Sequence, residues 1–239
     1  MPKKSNAKND KKVAKVATPA PTRSLRPPPP NRGPVWPENV AYLAEYEFDA
    51  SVPMDQRRAL VPAPLPIREH QRSRHGTRPA TAQGKMPVSP LVTIRFIDDP
   101  NHPAYPYRGL FAAKKLTSGQ HIVNYIGIVY SNQQFSSTSD YVLTLNSNVC
   151  VDAEFAGNEA RFFNDYRGIP ERQGLGPNAE FRDFVDEKGV QRMGVFVRKN
   201  HTIPKGAEIT VSYGKGFWKE RGLLSDMAVG EEGAEEGGG

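Results

Sequence analysis

The chain has 239 residues, of which 37% are hydrophobic, with a single cysteine and a formal net charge of +6. One cysteine excludes an internal disulfide and a cysteine-based zinc cluster, and favours a reducing compartment. No apolar run approaches the ~18 residues that a membrane span needs, and the Lys-rich start lacks the apolar core of a secretory signal, so we expect an intracellular protein without a membrane anchor.

Proline and charge are concentrated towards the two ends of the chain. Sixteen of the 22 prolines lie in residues 1–90, and residues 1–34 carry nine Lys or Arg against one Asp. A stretch of this composition buries too little apolar surface to offset its ordering entropy. We therefore predict a disordered basic tail over residues 1–34, a Pro/Arg-rich linker over residues 57–90 and an acidic, Gly-rich disordered tail over residues 223–239.

The basic tail has two interpretations. Flexible positive charge favours weak contact with nucleic acid, acidic partners or import factors; the alternative is a solvated tail that only keeps the protein soluble. Residues 86–224 carry 16 basic and 14 acidic side chains, so the body is near neutral. A near-neutral body without a recognition helix argues against a nucleic-acid-reading domain.

Residues 35–56 differ from the Pro-rich sequence on either side. Val40, Leu43 and Glu47 fall on helical spacing, and Pro37 suits the start of a helix, where its missing N–H costs nothing. The pattern predicts a short helical segment that docks on the main domain or binds a partner.

From Leu91 onward the sequence predicts many short strands and almost no long helix. The predicted strands are rich in β-branched residues and read LVTIRFI, HIVNYIGIVY, DYVLTL, NVCVDA, NAEFRDFV, RMGVFVRKN and EITVSY. Turn residues predict hairpins at residues 146–148 and 186–189. This pattern favours a mostly-β domain and argues against a doubly wound sheet, and no Gly-x-Gly-x-x-Gly of a nucleotide-binding turn follows a strand.

Four segments of the body, in order, resemble the signature blocks of the SET-domain family. They are residues 108–112 with 125–127, residues 139–142 with Asp152, residues 157–164 with 177–179, and residues 204–214. Each block is weak alone, but four in order at family-like spacing are specific. The resemblance covers residues 91–222 and implies a SET domain, a mostly-β fold of several small sheets whose core is a threaded pseudoknot, a rare arrangement in proteins.

The resemblance implies an S-adenosylmethionine-dependent protein-lysine methyltransferase. A histone tail is the commonest substrate in the family, which would suit a nuclear protein, and the reaction would need no metal. The alternative is a non-catalytic SET fold that serves as a chromatin or protein interaction module. Retention of the motif residues Gly109, Asn164 and Tyr213 favours the enzyme.

Cofactor contacts are assigned by the resemblance to residues of the first, third and fourth blocks and to Asp165 directly after the third, and Trp218 is added because an aromatic ring can stack on adenine. A glycine allows close approach of backbone to a ligand, and an asparagine amide both donates and accepts hydrogen bonds. The expected cofactor-binding residues are Arg108, Gly109, Leu110, Tyr125, Arg161, Phe162, Asn164, Asp165, Tyr213 and Trp218.

The resemblance also assigns the catalytic residues and the lysine channel. It places the hydroxyl of Tyr213 beside the transferred methyl and the target amine, with Tyr141 as the second catalytic tyrosine. The channel is expected to be lined by these two tyrosines with Val211 and Phe217, and Phe217 or Trp218 would replace the zinc-bound cysteine segment of many relatives. A valine at position 211, where relatives often carry Phe or Tyr, predicts room for di- or trimethylation.

Three positions depart from the family pattern. Asp165 stands where the family has His, Ile128 replaces an acidic residue, and Ser212 replaces an Asp. None of these changes removes a group that methyl transfer needs. They indicate a divergent member and keep the non-catalytic alternative open. Packing in the core is the competing role for Tyr125 and Tyr141.

Overall fold

A computed structural model describes residues 35–70, 89–134 and 139–220. The tails predicted over residues 1–34 and 223–239, and residues 71–88 of the predicted linker, lie outside these described residues.

The described residues form twelve short strands, two short α-helices and two 3-10 turns. The strands are β1 (Ala41–Tyr42), β2 (Glu47–Phe48), β3 (Val92–Phe96), β4 (Arg108–Ala112), β5 (His121–Asn124), β6 (Gly127–Ser131), β7 (Val142–Thr144), β8 (Val149–Gly157), β9 (Asn164–Asp165), β10 (Ala179–Val185), β11 (Gln191–Val197) and β12 (Thr210–Val211). The helices are α1 (Met54–Leu60) and α2 (Gly214–Glu220), and the 3-10 turns are Glu159–Phe162 and Pro170–Arg172. Neither described helix has the length and apolar character needed to cross a membrane.

The strands are distributed over four small sheets. The largest has the order β1-β8-β6-β2, with β7 also paired to β8, and a three-stranded sheet has the order β10-β11-β5. β3 pairs antiparallel with β4, and β12 pairs parallel with β9. The predicted mostly-β domain of several small sheets is therefore confirmed.

Both predicted hairpins are present. β7 and β8 pair antiparallel across residues 146–148, and β10 and β11 pair antiparallel across residues 186–189. In the second turn the carboxylate of Asp186 accepts from the backbone N–H of Lys188 and of Val190, each at 2.9 Å, and Gly189 has φ +79°. A glycine adopts this left-handed conformation without the steric cost of a Cβ.

The helix predicted over residues 35–56 is wrong. This segment instead contributes the short strands β1 and β2, which pair parallel with β8 and β6. The pairing satisfies backbone groups along the large sheet and buries Leu43, Tyr46 and Phe48 in the core. Burial of these side chains and pairing of their backbone override a local helical spacing.

The predicted linker is also wrong over residues 57–70, which are folded. Helix α1 follows Pro53, and its last residue, Leu60, is fully buried. The guanidinium of Arg57 donates to the carbonyls of Val52 at 2.7 Å and Asp49 at 3.0 Å. These contacts connect the helix to the end of β2, so this part of the linker belongs to the domain.

Because this N-terminal part belongs to the core, we expect Phe48→Ala to lower the free energy of unfolding by about 3–5 kcal/mol. Phe48 is 1% exposed, so truncation leaves a cavity among its neighbours. Urea unfolding followed by tryptophan fluorescence measures the loss. Phe155→Ala is the matched control, because Phe155 is 64% exposed and its truncation should change stability by less than about 0.5 kcal/mol. Equal unfolding midpoints for the two variants would contradict the packing described here.

Candidate active site

A cavity of about 530 Å³ lies where the large sheet, the 3-10 turn Glu159–Phe162, β9 and the start of α2 meet. Eight of the residues predicted from the sequence line it: Arg108, Tyr125, Tyr141, Arg161, Phe162, Asn164, Tyr213 and Phe217. A volume in this range and a mixed aromatic and polar wall are typical of a small-molecule site.

Five predicted site residues do not line this cavity: Gly109, Leu110, Asp165, Val211 and Trp218. Leu110 and Val211 are fully buried in the hydrophobic core. Because the Val211 side chain lies outside the wall, its size gives no support to the predicted di- or trimethylation. The other three pack directly behind wall residues.

The position of Tyr213 is set by the pairing of β12 with β9. Its backbone N–H donates to Oδ2 of Asp165 at 2.7 Å, and its hydroxyl donates to the carbonyl of Phe163 at 2.6 Å. Burial and the negative charge of Asp165 raise the pKa of the Tyr213 hydroxyl above its usual value. The group therefore stays a neutral phenol near pH 7.

Asp165 organises the C-terminal end of the domain. Besides the N–H of Tyr213, its buried carboxylate accepts from Nη1 of Arg167 at 3.1 Å and from Nε1 of Trp218 at 3.3 Å. The rings of Tyr213 and Trp218 stack with an interplanar angle of 14°, and Phe217 meets Tyr213 edge-on at 4.8 Å. The expected negative charge at position 165 is thus paired with Arg167.

Tyr125 and Tyr141 form another part of the wall. The hydroxyl of Tyr125 donates to the carbonyl of Tyr141 at 2.8 Å. Burial, with Tyr213 nearby, raises the pKa of Tyr125. The guanidinium carbon of Arg161 lies 4.2 Å from the centroid of the Tyr141 ring, so this ring is held by a cation–π contact.

Two arginines bring positive charge to the cavity. Arg161 donates to the carbonyls of Ala153 at 2.9 Å and Glu154 at 3.2 Å, which uses two of the five N–H donors of its guanidinium. Burial, and next the charge of Arg161, lower the pKa of Arg108. The two guanidinium groups repel one another, so a bound anion between them would be stabilised.

Acidic side chains balance this charge elsewhere in the wall. Asp140 and Glu154 both line the cavity. Burial, followed by the neighbouring carboxylates of Asp152 and Asp140, raises the pKa of Glu154. The cavity therefore offers groups for both an anionic and a cationic partner.

The side-chain amide of Asn164 is oriented by two hydrogen-bond acceptors in the cavity wall. Its Nδ2 donates to Oε1 of Glu208 at 2.8 Å and to the carbonyl of Arg108 at 3.2 Å. Gly109 lies directly behind this pair, and a Cβ there would be 2.6 Å from Oε1 of Glu208 and 3.0 Å from Nδ2 of Asn164. The absence of a Cβ at Gly109 thus allows Glu208 and Asn164 to lie close to its backbone.

The N-terminal segment also contributes to the cavity, which the sequence pattern did not indicate. Pro37, Asn39 and Val40 line it. The indole of Trp36 donates to the carbonyl of Val40 at 2.7 Å and meets Phe162 edge-on at 5.6 Å. A tryptophan isolated in a Pro-rich stretch was the one available signal, because its partner Phe162 lies far away in the sequence.

Among the described residues, no cluster of three or more His, Cys, Asp or Glu side chains is arranged to hold a metal ion.

A SET-domain family model matches residues 107–214, a span that includes all four sequence blocks. A human protein named "Inactive histone-lysine N-methyltransferase 2E" is 30% identical over 115 residues, which are 44% of this chain and 6% of that protein. A protein of Arabidopsis thaliana named "Putative histone-lysine N-methyltransferase ASHH4" is 26% identical over 115 residues, which are 44% of this chain and 30% of the relative.

A solved structure, of KRYPTONITE in complex with mCHH DNA, H3(1-15) peptide and SAH, aligns with a TM-score of 0.37 at 21% identity. The alignment covers 47% of this chain and 22% of that chain. This chain therefore spans less than a third of the length of each of these three proteins.

Proposed function

Because this chain belongs to the SET-domain family, we propose that it is a protein-lysine N-methyltransferase that uses S-adenosylmethionine. The observation that carries the proposal is the convergence of Arg161, Asn164 and Tyr213 on one cavity with Tyr125 and Tyr141. These five residues represent all four sequence blocks, which meet only in the folded chain.

The residues of the cavity fit the chemical groups of S-adenosylmethionine. Arg108 and Arg161 suit its carboxylate, since charge-assisted hydrogen bonds to guanidinium are the strong ones. The rings of Tyr125, Tyr141 and Tyr213 suit its sulfonium, because aromatic faces attract cations. The amide of Asn164 adds a further polar contact.

The cofactor, when bound, supplies an electrophilic methyl carbon on a positively charged sulfur. Tyr213 would act on the incoming lysine amine. Its hydroxyl hydrogen is donated to the carbonyl of Phe163, so the phenol oxygen is left as an acceptor for an N–H of that amine. Correct orientation of the amine relative to the methyl group can lower the activation barrier by several kcal/mol, and by about 7 kcal/mol in favourable cases.

No dedicated base is needed in this scheme. A lysine amine has an unperturbed pKa of about 10.4, and an apolar channel disfavours its charged form. The rings of Tyr125, Phe181 and Tyr213 make part of the wall apolar. The phenol of Tyr213, whose pKa is raised, is protonated and serves to orient the amine.

The family relationship supports a proposal for the substrate class and the location. Two relatives carry names of histone-lysine methyltransferases, which supports a histone tail as the protein substrate and the nucleus as the site of action. The acidic pair Asp140 and Glu154 is compatible with an approaching cationic lysine. A basic tail over residues 1–34 would add weak contact with nucleic acid.

The second candidate function is a non-catalytic SET fold that binds chromatin or protein partners. The observation that favours it is the name of the human relative, which describes that protein as inactive. The divergent residues Asp165 and Ser212 are compatible with it as well.

Transfer of a tritiated methyl group from S-adenosylmethionine to a histone mixture and to a cell extract separates the two functions. The enzyme is expected to label a protein band, with lysine as the modified residue by mass spectrometry. A protein that binds S-adenosylhomocysteine but labels nothing would support the non-catalytic function. A protein that does neither would overturn the assignment of the cavity.

A cofactor site at this cavity predicts that Arg161→Met weakens S-adenosylhomocysteine binding by about 10–100-fold, because charge-assisted hydrogen bonds contribute about 1.5–3 kcal/mol. Isothermal titration calorimetry measures the change. Arg95→Met is the matched control, since Arg95 lies outside the cavity, donates to the carbonyl of Gly206 and covers the Phe111 ring. If both variants bind like the wild-type protein, Arg161 does not contact the cofactor.

A further inference from the structure

His102 is a buried histidine in the loop before β4, 6% exposed. Its Nδ1 lies 3.0 Å from the backbone N–H of Ala104, from which it accepts a hydrogen bond. A ring nitrogen that accepts carries no proton, so the proton of the neutral ring is on Nε2. That nitrogen lies 2.9 Å from Oε2 of Glu208 and donates to it.

Glu208 connects His102 to the cavity. One carboxylate oxygen accepts from His102 and the other accepts from Nδ2 of Asn164 at 2.8 Å. The second N–H of the Asn164 amide points to the carbonyl of Arg108 at 3.2 Å. Both donors of the amide are therefore occupied by acceptors on the wall side, and its oxygen is the remaining polar group of the side chain.

We propose that His102 and Glu208 are positioning residues that hold the Asn164 amide with its oxygen facing the cavity, ready to accept from a donor on the cofactor. This inference rests on the proposed function. Without the carboxylate, an amide can rotate by half a turn and exchange its oxygen and nitrogen. Without the histidine, one oxygen of the largely buried Glu208 carboxylate loses its hydrogen-bond donor, and an unsatisfied buried charge lowers stability.

A purely structural role for His102 makes a different prediction. If His102 only holds its loop in place, its removal should lower the stability of the protein and weaken the binding of every ligand to the same extent. If it positions Asn164, its removal should weaken the binding of the cofactor but not that of the protein substrate, because Asn164 is a proposed cofactor contact in the cavity wall. Affinity for the cofactor product therefore distinguishes the two roles when it is compared with affinity for the protein substrate.

The test uses the full chain with His102→Leu and His102→Gln, and S-adenosylhomocysteine as the probe in calorimetry. His102→Leu is expected to raise the dissociation constant by about tenfold, the cost of one lost hydrogen bond to a charged group. His102→Gln keeps a donor for Glu208 and is expected to recover most of the affinity. In methyl-transfer assays, KM for S-adenosylmethionine should rise while KM for the protein substrate is unchanged. His201→Leu, in a loop outside the cavity, is the control.

The outcomes separate the inference from the function it rests on. A wild-type protein that does not bind S-adenosylhomocysteine overturns the proposed function. A wild-type protein that binds it, with His102→Leu equally tight, overturns the positioning role alone. If His102→Leu does not fold, the nitrogen chemical shifts of His102 in the wild-type protein test the hydrogen-bond chain on which the positioning role depends. A proton on Nε2 is expected, and a proton on Nδ1 would contradict the hydrogen-bond chain.

Discussion

Replacing Tyr213 by Phe is expected to lower the rate of methyl transfer by at least about 100-fold, with the affinity for S-adenosylhomocysteine changed by less than about threefold. The change removes only the hydroxyl, which donates to the carbonyl of Phe163 and leaves its oxygen as an acceptor. The phenyl ring keeps its contacts with Phe217 and Trp218. The loss should therefore appear in kcat, because the interaction acts on the amine during transfer.

Incorporation of tritiated methyl groups measures the rate, and calorimetry measures the affinity. Tyr46→Phe is the matched control. Tyr46 is a buried tyrosine outside the cavity, its hydroxyl accepts from the backbone N–H of Met193 at 3.3 Å, and burial raises its pKa to about 12. This control should lose about 1 kcal/mol of stability and retain activity. Equal activity of Tyr213→Phe and the wild-type protein would refute the role of the hydroxyl.

The second large effect is expected for Gly109→Ala. The added methyl group would lie 2.6 Å from Oε1 of Glu208, 2.9 Å from Cδ1 of Ile97 and 3.0 Å from Nδ2 of Asn164. The Glu208 carboxylate cannot withdraw without breaking its bonds to His102 and Asn164. We expect a loss of about 1–3 kcal/mol in stability, the usual cost of overpacking, and S-adenosylhomocysteine binding weakened by more than about tenfold.

Gly216→Ala is the control for this variant. Gly216 lies in α2, and a Cβ at this position meets no atom within 4 Å. Since glycine in a helix costs about 0.5–1 kcal/mol relative to alanine, this change should stabilise the protein slightly. Thermal unfolding and calorimetry on both variants give the comparison. If Gly109→Ala leaves both the stability and the S-adenosylhomocysteine affinity unchanged, the side chains around position 109 can move to accommodate a methyl group.

Local patterns in the sequence were sufficient to predict most of the secondary structure between residues 91 and 222. Runs of β-branched residues predicted most strands of the body but not β4 and β9, and the single strand predicted for HIVNYIGIVY is divided into β5 and β6. The turn residues at 146–148 and 186–189 predicted both hairpins. The resemblance assigned Asn164 and Tyr213 to the same cofactor site, and the pairing of β9 with β12 brings their segments together. These features are encoded within a few residues of one another or in recognisable motifs.

Other features depend on partners that are distant in the sequence. The spacing of Val40, Leu43 and Glu47 is helical, yet strand pairing with β8 and β6 decides the structure of that segment. No local pattern indicates a role for His102, because its partner Glu208 is 106 positions away. Gly109 was assigned to the ligand, whereas the space above its Cα is filled by Glu208 and Asn164.

The location of β1 and β2 has a consequence for any shortened form of this protein. The two strands pair with the Ala156–Gly157 end of β8 and with Ile128 and Val129 of β6, although they precede the span 107–214 that the family model matches. A fragment limited to that span would present unpaired backbone N–H and C=O groups on β6 and at the Ala156–Gly157 end of β8. Such edges recruit strands from other molecules, so the fragment should aggregate during purification, whereas a version that retains residues 35–70 should stay dispersed.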